Sequence, residues 1–443
     1  MRLRRPGGLW LHRDFRSLWA AETISVFGTG ISQLALPLVA VITLEASAFE
    51  VALLGVIEFA PFILISLPAG VWVDRMRRKP ILVTADLGRA FLLASIPVAY
   101  WLDLLTIWQL YVVGFVVGFL TVFFDVAYQS YLPSLVARDQ LVEGNSKLEI
   151  SRSAAQLASP GLSGVLVEAI RAPGTVLVDA ISFFLSAIFL FRIRTEERAP
   201  TRAERKAGPG MKEEVKEGLR WVFGNRYLRW IAASTATFNF FGNIIFAVYL
   251  VYAVRTLGLR PGVIGLVFTV SSIGYLIGAL SANRLSRRFG VGPTIIIGAA
   301  GSVSLLLLAI APESNPIPFL IAAQAISGMG VPFYNITQVS FRQAITPERI
   351  QGRMNSVMRL IVWGVMPLGS LLGGALASWV SLRFAIWVGA IGMSLAVLPV
   401  LLSPVRTLRE MPQPVEEPLP SEADAAGGLV PAAAGALPAT PAD

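Results

Sequence analysis

Eight ionisable residues lie inside otherwise apolar stretches of the chain: Glu22, Glu58, Asp86, Arg89, Asp125, Glu149, Arg152 and Asp179. Every one of them precedes residue 194. In such surroundings a carboxylate or guanidinium can hold a counter-charge, or a carboxylate can take up and release a proton. Other chemistries are excluded by what the chain lacks. It has no cysteine and one histidine, His12, which removes thiolate and histidine metal sites, cysteine nucleophiles and histidine-based triads. There is no G-x-x-x-x-G-K-[ST] loop to cradle the phosphates of ATP. The chain is expected to be no enzyme and to use no cofactor and no metal.

Position within the apolar stretches divides these residues. Glu22, Asp86, Arg89, Asp125 and Arg152 each fall one to two helical turns from the same end of their stretch, within ~10 Å of one surface. Acids and arginines at one level are expected to pair, with Asp86 and Arg89 three apart on one helix. The plain reading of this layer is a structural network. Asp179 is expected near the opposite end of its stretch, bonded to polar neighbours. Glu58 precedes Asp74 by sixteen residues, ~24 Å of helix, and no basic residue in the first six stretches shares its depth. A carboxylate that no cation offsets in low dielectric takes up a proton rather than stay charged. Proton coupling needs a group that is neutral when sealed and ionised when wetted, so Glu58, Glu22 and Asp125 are the candidate proton carriers.

These residues must be held by membrane-spanning helices. The chain of 443 residues is 55% hydrophobic and only 15% charged, too few charges for a soluble surface. Apolar blocks near 17–43, 51–72, 81–101, 107–128, 147–169, 174–193, 229–253, 262–284, 293–311, 317–339, 354–379 and 383–403 are each long enough to cross a ~30 Å core. The expected fold is all-α, with twelve transmembrane helices in two six-helix halves. Of 37 Lys and Arg, only Arg171, Arg255, Arg260 and Arg383 fall in the loops of one side. The basic side is therefore the expected cytoplasmic one, with both termini on it. A bacterial inner membrane is the expected location. The basic start, Arg2 to Arg16, lacks a following cleavage site and leads into a span rather than a removed signal. The net charge of +9 follows from topology, and no nucleic-acid partner is expected.

Residues 1–193 are expected to form the first half and 227–405 the second. Between them, 194–226 is a charged linker in which Met211, Val215, Leu219 and Val222 recur at helical spacing. That pattern predicts an amphipathic helix lying on the membrane surface. Residues 406–443 become rich in Pro, Ala, Gly and Glu, and read as a disordered tail. The halves repeat: Asp74-Arg75 and Arg78-Lys79 correspond to Asn283-Arg284 and Arg287-Arg288 209 positions later, and Arg13 and Arg16 to Arg226 and Arg229 at 213.

The segment Gly70-Val71-Trp72-Val73-Asp74-Arg75-Met76-Arg77-Arg78-Lys79 resembles the G-x-L-x-D-R-x-G-R-[RK] loop of the major facilitator superfamily, with Arg77 in place of the glycine. Ser159-Pro160-Gly161-Leu162-Ser163-Gly164 resembles the G-P-x-x-G-G signature of drug–proton antiporters, with two glycines replaced by serine. Ala127-Tyr128-Gln129, Leu132-Pro133 and Asp179-Ala180-Ile181-Ser182-Phe183 are similar to the bacterial branch holding macrolide, multidrug and enterobactin exporters. The antiporters' arginine in the fourth span has no counterpart in Gln109–Gln129.

The resemblance implies proton-coupled export by alternating access, acting as a monomer on a small molecule in the bilayer. Gly70, Asp74, Arg75, Arg78 and Lys79 would form a gating loop meeting the eleventh span near Gly352–Asn355. It also implies a central cavity lined by spans one, four, seven and ten. Gln33, Asn239, Asn243, Gln324, Tyr334 and Asn335 are the candidate cavity residues, amid the aromatics Phe238, Phe240, Phe241, Phe246 and Phe333. Neutral hydrogen-bonding groups in an aromatic pocket suit a lipophilic or amphipathic compound. A siderophore exporter, a solute importer and a non-transporting scaffold are the alternative readings.

Overall fold

The structure is a computed structural model that describes residues 8–73, 76–137, 140–195 and 211–410. Asp74, Arg75, most of the linker and the tail beyond Glu410 lie outside the described residues. Where no water reaches the backbone, each N–H and C=O must find its partner within the chain, and a helix supplies these partners locally. The helices are α1 (Arg13–Leu38), α2 (Ala48–Val73), α3 (Arg78–Trp101), α4 (Ile107–Leu135), α5 (Leu141–Phe191), α6 (Met211–Gly224) and α7 (Leu228–Val251). They continue with α8 (Pro261–Phe289), α9 (Val291–Ala300), α10 (Leu306–Ile310), α11 (Ile317–Ala344), α12 (Glu348–Trp379), α13 (Leu382–Leu395) and α14 (Val397–Leu401).

Eleven stretches among the described residues are long and apolar enough to cross a membrane, and one of them, Glu143–Phe191, has 49 residues. That is ~73 Å of helix, more than twice a ~30 Å core. Arg171 breaks it with a φ of 62°. α1 is the ruler that fixes what happens there. Along the first limb of α5, Arg152, Ser159 and Ser163 bond to Glu22, Phe27 and Ile31, in ascending order. Along the second limb the order inverts: Asp179 and Ser182 pack on Gly28, and the Arg194 backbone donates to Asp14. The chain reverses at Arg171-Ala172-Pro173-Gly174, and α5 is two spans. The twelve spans expected from hydropathy are present.

Several helices outrun their apolar blocks on the basic side. α4 continues to Leu135, α8 to Phe289 and α11 to Ala344, while α12 begins at Glu348. Once a helix exists, each added residue gains a hydrogen bond, in polar surroundings as in apolar ones. Hydropathy registers only the part in hydrocarbon. The amphipathic helix expected in the linker is α6, and it packs on α12, where Arg353 forms an ion pair with Glu217. Val222 is buried, Trp221 donates to Thr346 at 3.4 Å, and Gly218 admits the Arg353 backbone.

The first five helices pack mutually, as do α7 to α14, and the two groups meet where α5 packs on α8 and where α2 packs on α12 and α7. Close approaches between them lie away from the basic loops. Gly164 and Gly265 bring α5 and α8 together, and Gly374 of α12 sits on Ala48, Phe49 and Ala52 of α2. The repeat seen in sequence extends to irregularities. α1 ends in a π turn, Val39–Thr43, and α7 in another, Tyr252–Thr256, 213 positions later.

Candidate functional site

The layer expected to pair does so, and it reaches further than expected. Glu22, only 3% exposed, accepts from Arg152 Nε at 3.1 Å and Nη2 at 2.8 Å. The Arg152 guanidinium also lies over the Tyr128 ring, 5.3 Å from its centroid. On α3, Asp86 and Arg89 form an ion pair, and the Arg89 guanidinium is held between Phe124 of α4 and Phe183 of α5, 4.3 and 4.1 Å from their centroids. Asp125 lies within electrostatic reach of both arginines. Asp179 accepts from Ser182 at 3.0 Å and lies within reach of Arg89 and Asp86. It stands level with Gly28, midway along α1, rather than near the outer end of its span; the reversal at Arg171 carries it two turns inward.

Four carboxylates (Glu22, Asp86, Asp125, Asp179) thus share two guanidiniums (Arg89, Arg152) in one interior. Guanidiniums stay charged, so two acids have no compensating cation within the cluster. Most of it is sealed: Asp86 is 0% exposed, Arg89 3% and Asp179 1%. Asp125 is half-buried, and the Arg152 side chain, 39% exposed, is where the cluster opens most widely to space. That space is a cavity of about 720 Å³ between the basic-side ends of α4 and α5, walled by Tyr128, Gln129, Asn145, Glu149, Arg152 and Ser153.

Glu58 stands apart from this cluster. Its side chain lies in the α2–α4 interface against Gly114, and its backbone against Gly118. Its Oε1 is buried without a hydrogen-bond partner, and no charged group among the described residues acts on it. Two glycines four apart on α4 leave the room a carboxyl needs, the small-xxx-small spacing by which membrane helices approach closely. One position along, Phe59 meets Trp363 of α12 edge to face at 5.9 Å.

Of the gating loop, Asp74 and Arg75 lie outside the described residues, and Gly70 sits in the last turns of α2. Arg78 opens α3, and Lys79 donates to the Ile193 carbonyl at 2.6 Å over the Phe191 ring, tying the loop to the end of α5. In the antiporter-like motif each replaced glycine does packing work. Ser159 and Ser163 donate to the Phe27 and Ile31 carbonyls of α1 at 3.3 and 2.8 Å, while Gly161 and Gly164 face α8 beside Pro160.

The cavity candidates divide. Gln33 and Asn335 are exposed in mid-span. Asn239 and Asn243 donate to carbonyls four residues back, both at 2.8 Å, and each keeps its Oδ1 as an acceptor. Gln324 is half-buried near Tyr249. Tyr334 is 6% exposed; its hydroxyl is 2.7 Å from that of Thr235 and its ring stacks on Phe238, so it joins α11 to α7. Arg342, 8% exposed on α11, is a buried cation of the second half that hydropathy placed outside the span. Its recurrence four and eight positions after Gln338 and Tyr334, on one helix face, was the available signal.

With this geometry in view, comparison with known proteins is decisive about family. A family described as transmembrane secretion effector matches residues 10–427. The chain belongs to that family, within the major facilitator superfamily. Macrolide efflux protein A of Streptococcus pyogenes is 24% identical over 403 residues, covering 89% of this chain and 97% of the relative. The multidrug efflux pump Tap of Mycolicibacterium fortuitum is 27% identical over 410 residues, covering 89% and 96%. Among solved structures, a bacterial homologue of the iron transporter ferroportin in an inward-facing state superposes with a TM-score of 0.68 at 17% identity, covering 88% and 98%. The nucleoside transporter NupG gives 0.67 at 12%, covering 88% and 98%. The protein is a multi-pass membrane transporter of this superfamily, and its partner is a small-molecule substrate.

Proposed function

We propose that the chain exports a lipophilic or amphipathic small molecule against its gradient, driven by proton entry, through alternating access between the halves 1–193 and 227–405. The observation that carries this reading is the largely buried cluster with two acids in excess of its arginines, opening most widely to space at Arg152. A cluster that cannot keep all its charge when dry, and can when wet, changes protonation with the side that reaches it. Glu22 and Asp125 sit inside it, and Glu58 is a second, isolated carboxyl with the same property. The efflux names of the relatives support export, and the neutral amides Asn239 and Asn243 beside aromatic rings support an apolar substrate. The basic side is read as cytoplasmic, the membrane as a bacterial inner membrane, and the working unit as a monomer.

The test is a panel of toxic lipophilic compounds given to an efflux-deficient bacterial host expressing the chain, with and without an uncoupler. Resistance that the uncoupler abolishes is the expected result. A siderophore exporter would instead lower the siderophore retained by the cells, and a scaffold would confer no uncoupler-sensitive resistance.

A further inference from the structure

Two irregular turns meet at the end of the protein away from the basic loops. In the first half the π turn Val39–Thr43 leads to Ala46, whose N–H bonds back to Ala40. In the second, Tyr252–Thr256 leads to Leu259, whose N–H bonds back to Ala253 in the same pattern. The repeat breaks at one side chain. Position 42 is isoleucine, and its counterpart 213 residues later is Arg255. The Arg255 guanidinium crosses to the first half and donates from Nη2 to the Ala46 carbonyl at 2.7 Å and to the Val41 carbonyl at 3.4 Å. The one other side-chain hydrogen bond recorded between the halves among the described residues is from Ser272 to the Gln156 carbonyl at 3.2 Å, deeper in the α5–α8 contact. On this side the Glu168 carboxylate of α5 also lies against Gly262 at the start of α8, and the close glycine contacts Gly164 on Gly265 and Gly374 on Ala52 complete the approach.

We infer that Arg255 is the outer gate pin: its guanidinium, bonded to the Val41 and Ala46 carbonyls, holds the halves shut away from the basic loops and positions the closed state of the transport cycle. Backbone acceptors suit this role. They carry no charge that a proton or a cationic substrate could cancel, so the pin is indifferent to the chemistry at the site. It also breaks into water, where both partners are solvated, so opening costs little beyond the charge-assisted bonds themselves. The inference rests on the alternating-access reading, and its experiment separates the two.

The chain has no cysteine, so one reporter cysteine can be placed without preparing a cysteine-free background. Gln33→Cys, exposed in mid-span, is labelled in proteoliposomes by a membrane-impermeant maleimide from either side. Asp103→Cys, in the loop between α3 and α4, calibrates sidedness and folding. Arg255→Ala and Arg255→Gln are each expected to raise labelling of Gln33→Cys from the Asp103 side about tenfold and to lower it from the other. Arg255→Lys should fall between. A general loosening would raise both sides together and would overturn the assignment. So would unchanged labelling in Arg255 variants of a protein whose parent reacts from both sides. If the parent reacts from one side alone under every condition, with and without substrate, alternating access itself fails and the pin with it.

Discussion

Removing the two members of the Glu22–Arg152 pair should have unequal costs. Glu22 is 3% exposed, and its Oε1 accepts both bonds from Arg152 while its Oε2 is buried without a partner. Arg152→Met deletes both donors and strands a carboxylate that water cannot reach. Breaking a fully buried pair costs about 3–5 kcal/mol. The Arg152 side chain is 39% exposed and already shares its charge with water, which brings the expected loss to about 2–4 kcal/mol. Glu22→Gln keeps the shape and an acceptor oxygen, and leaves behind a guanidinium that opens on the cavity, so its cost should be about 1 kcal/mol. The double variant Glu22→Gln, Arg152→Met should be more stable than Arg152→Met alone, by about 1–2 kcal/mol, since the Glu22 carboxylate is no longer left without its donor. Denaturant titration in mixed micelles, followed by tryptophan fluorescence, measures all four proteins. Equal costs for the two single variants, or a double variant at their sum, would refute the view that Glu22 depends on Arg152 for its counter-charge.

Three further outcomes are expected. Glu58→Gln should retain downhill substrate exchange in proteoliposomes and lose accumulation driven by a proton gradient; a variant that accumulates as the parent does moves the coupling role to Glu22 or Asp125. Asp74→Asn should lower transport while expression and folding persist, because a carboxylate facing a helix start is worth only ~0.3–1 kcal/mol to stability; parental turnover would remove the loop from the switching step. Reporter fusions after Lys206 and after Glu410 should both report the cytoplasm, and one reading outside would invert the topology.

The helices were legible in the sequence because hydrocarbon imposes one rule on every residue of a span, and a block of twenty apolar residues obeys it visibly. The charged cluster was legible in part. Glu22, Asp86, Arg89, Asp125 and Arg152 could be ranked by depth, since rise per residue converts position to height. Depth is silent about azimuth. It set Glu58 apart from the charged layer, but could not tell that Glu58 faces Gly114 on α4 or that Asp179 turns inward to Arg89. Arg255 was readable as a loop cation and no more, because its partners are two backbone carbonyls, and any sequence offers those everywhere. The docking of α6 on α12 was hidden for a related reason: amphipathicity names the apolar face without naming what covers it.

The serines of the α5 motif carry the last step. A helix that must slide or rock against a neighbour is best joined to it by glycine, whose contacts are short-ranged and non-directional, and one that must stay fixed is best joined by hydrogen bonds. The first limb of α5 has both joints, on different sides. Ser159 and Ser163 bond to successive turns of α1, which fastens α5 to the helix that carries Glu22. Gly161 and Gly164 face α8, where Gly164 meets Gly265 with no side chain between. Replacing two glycines of the antiporter signature by serine therefore stiffens the joint within the first half and leaves Gly161 and Gly164 to face α8 in the joint between the halves. Arg152 rides on the same limb as these serines, so any rocking of α5 over α8 carries Arg152 and Glu22 as one body. Under the proposed alternating access, the cluster would be reached through the cavity at Arg152 with its internal ion pairs intact, as the proposed protonation switch requires.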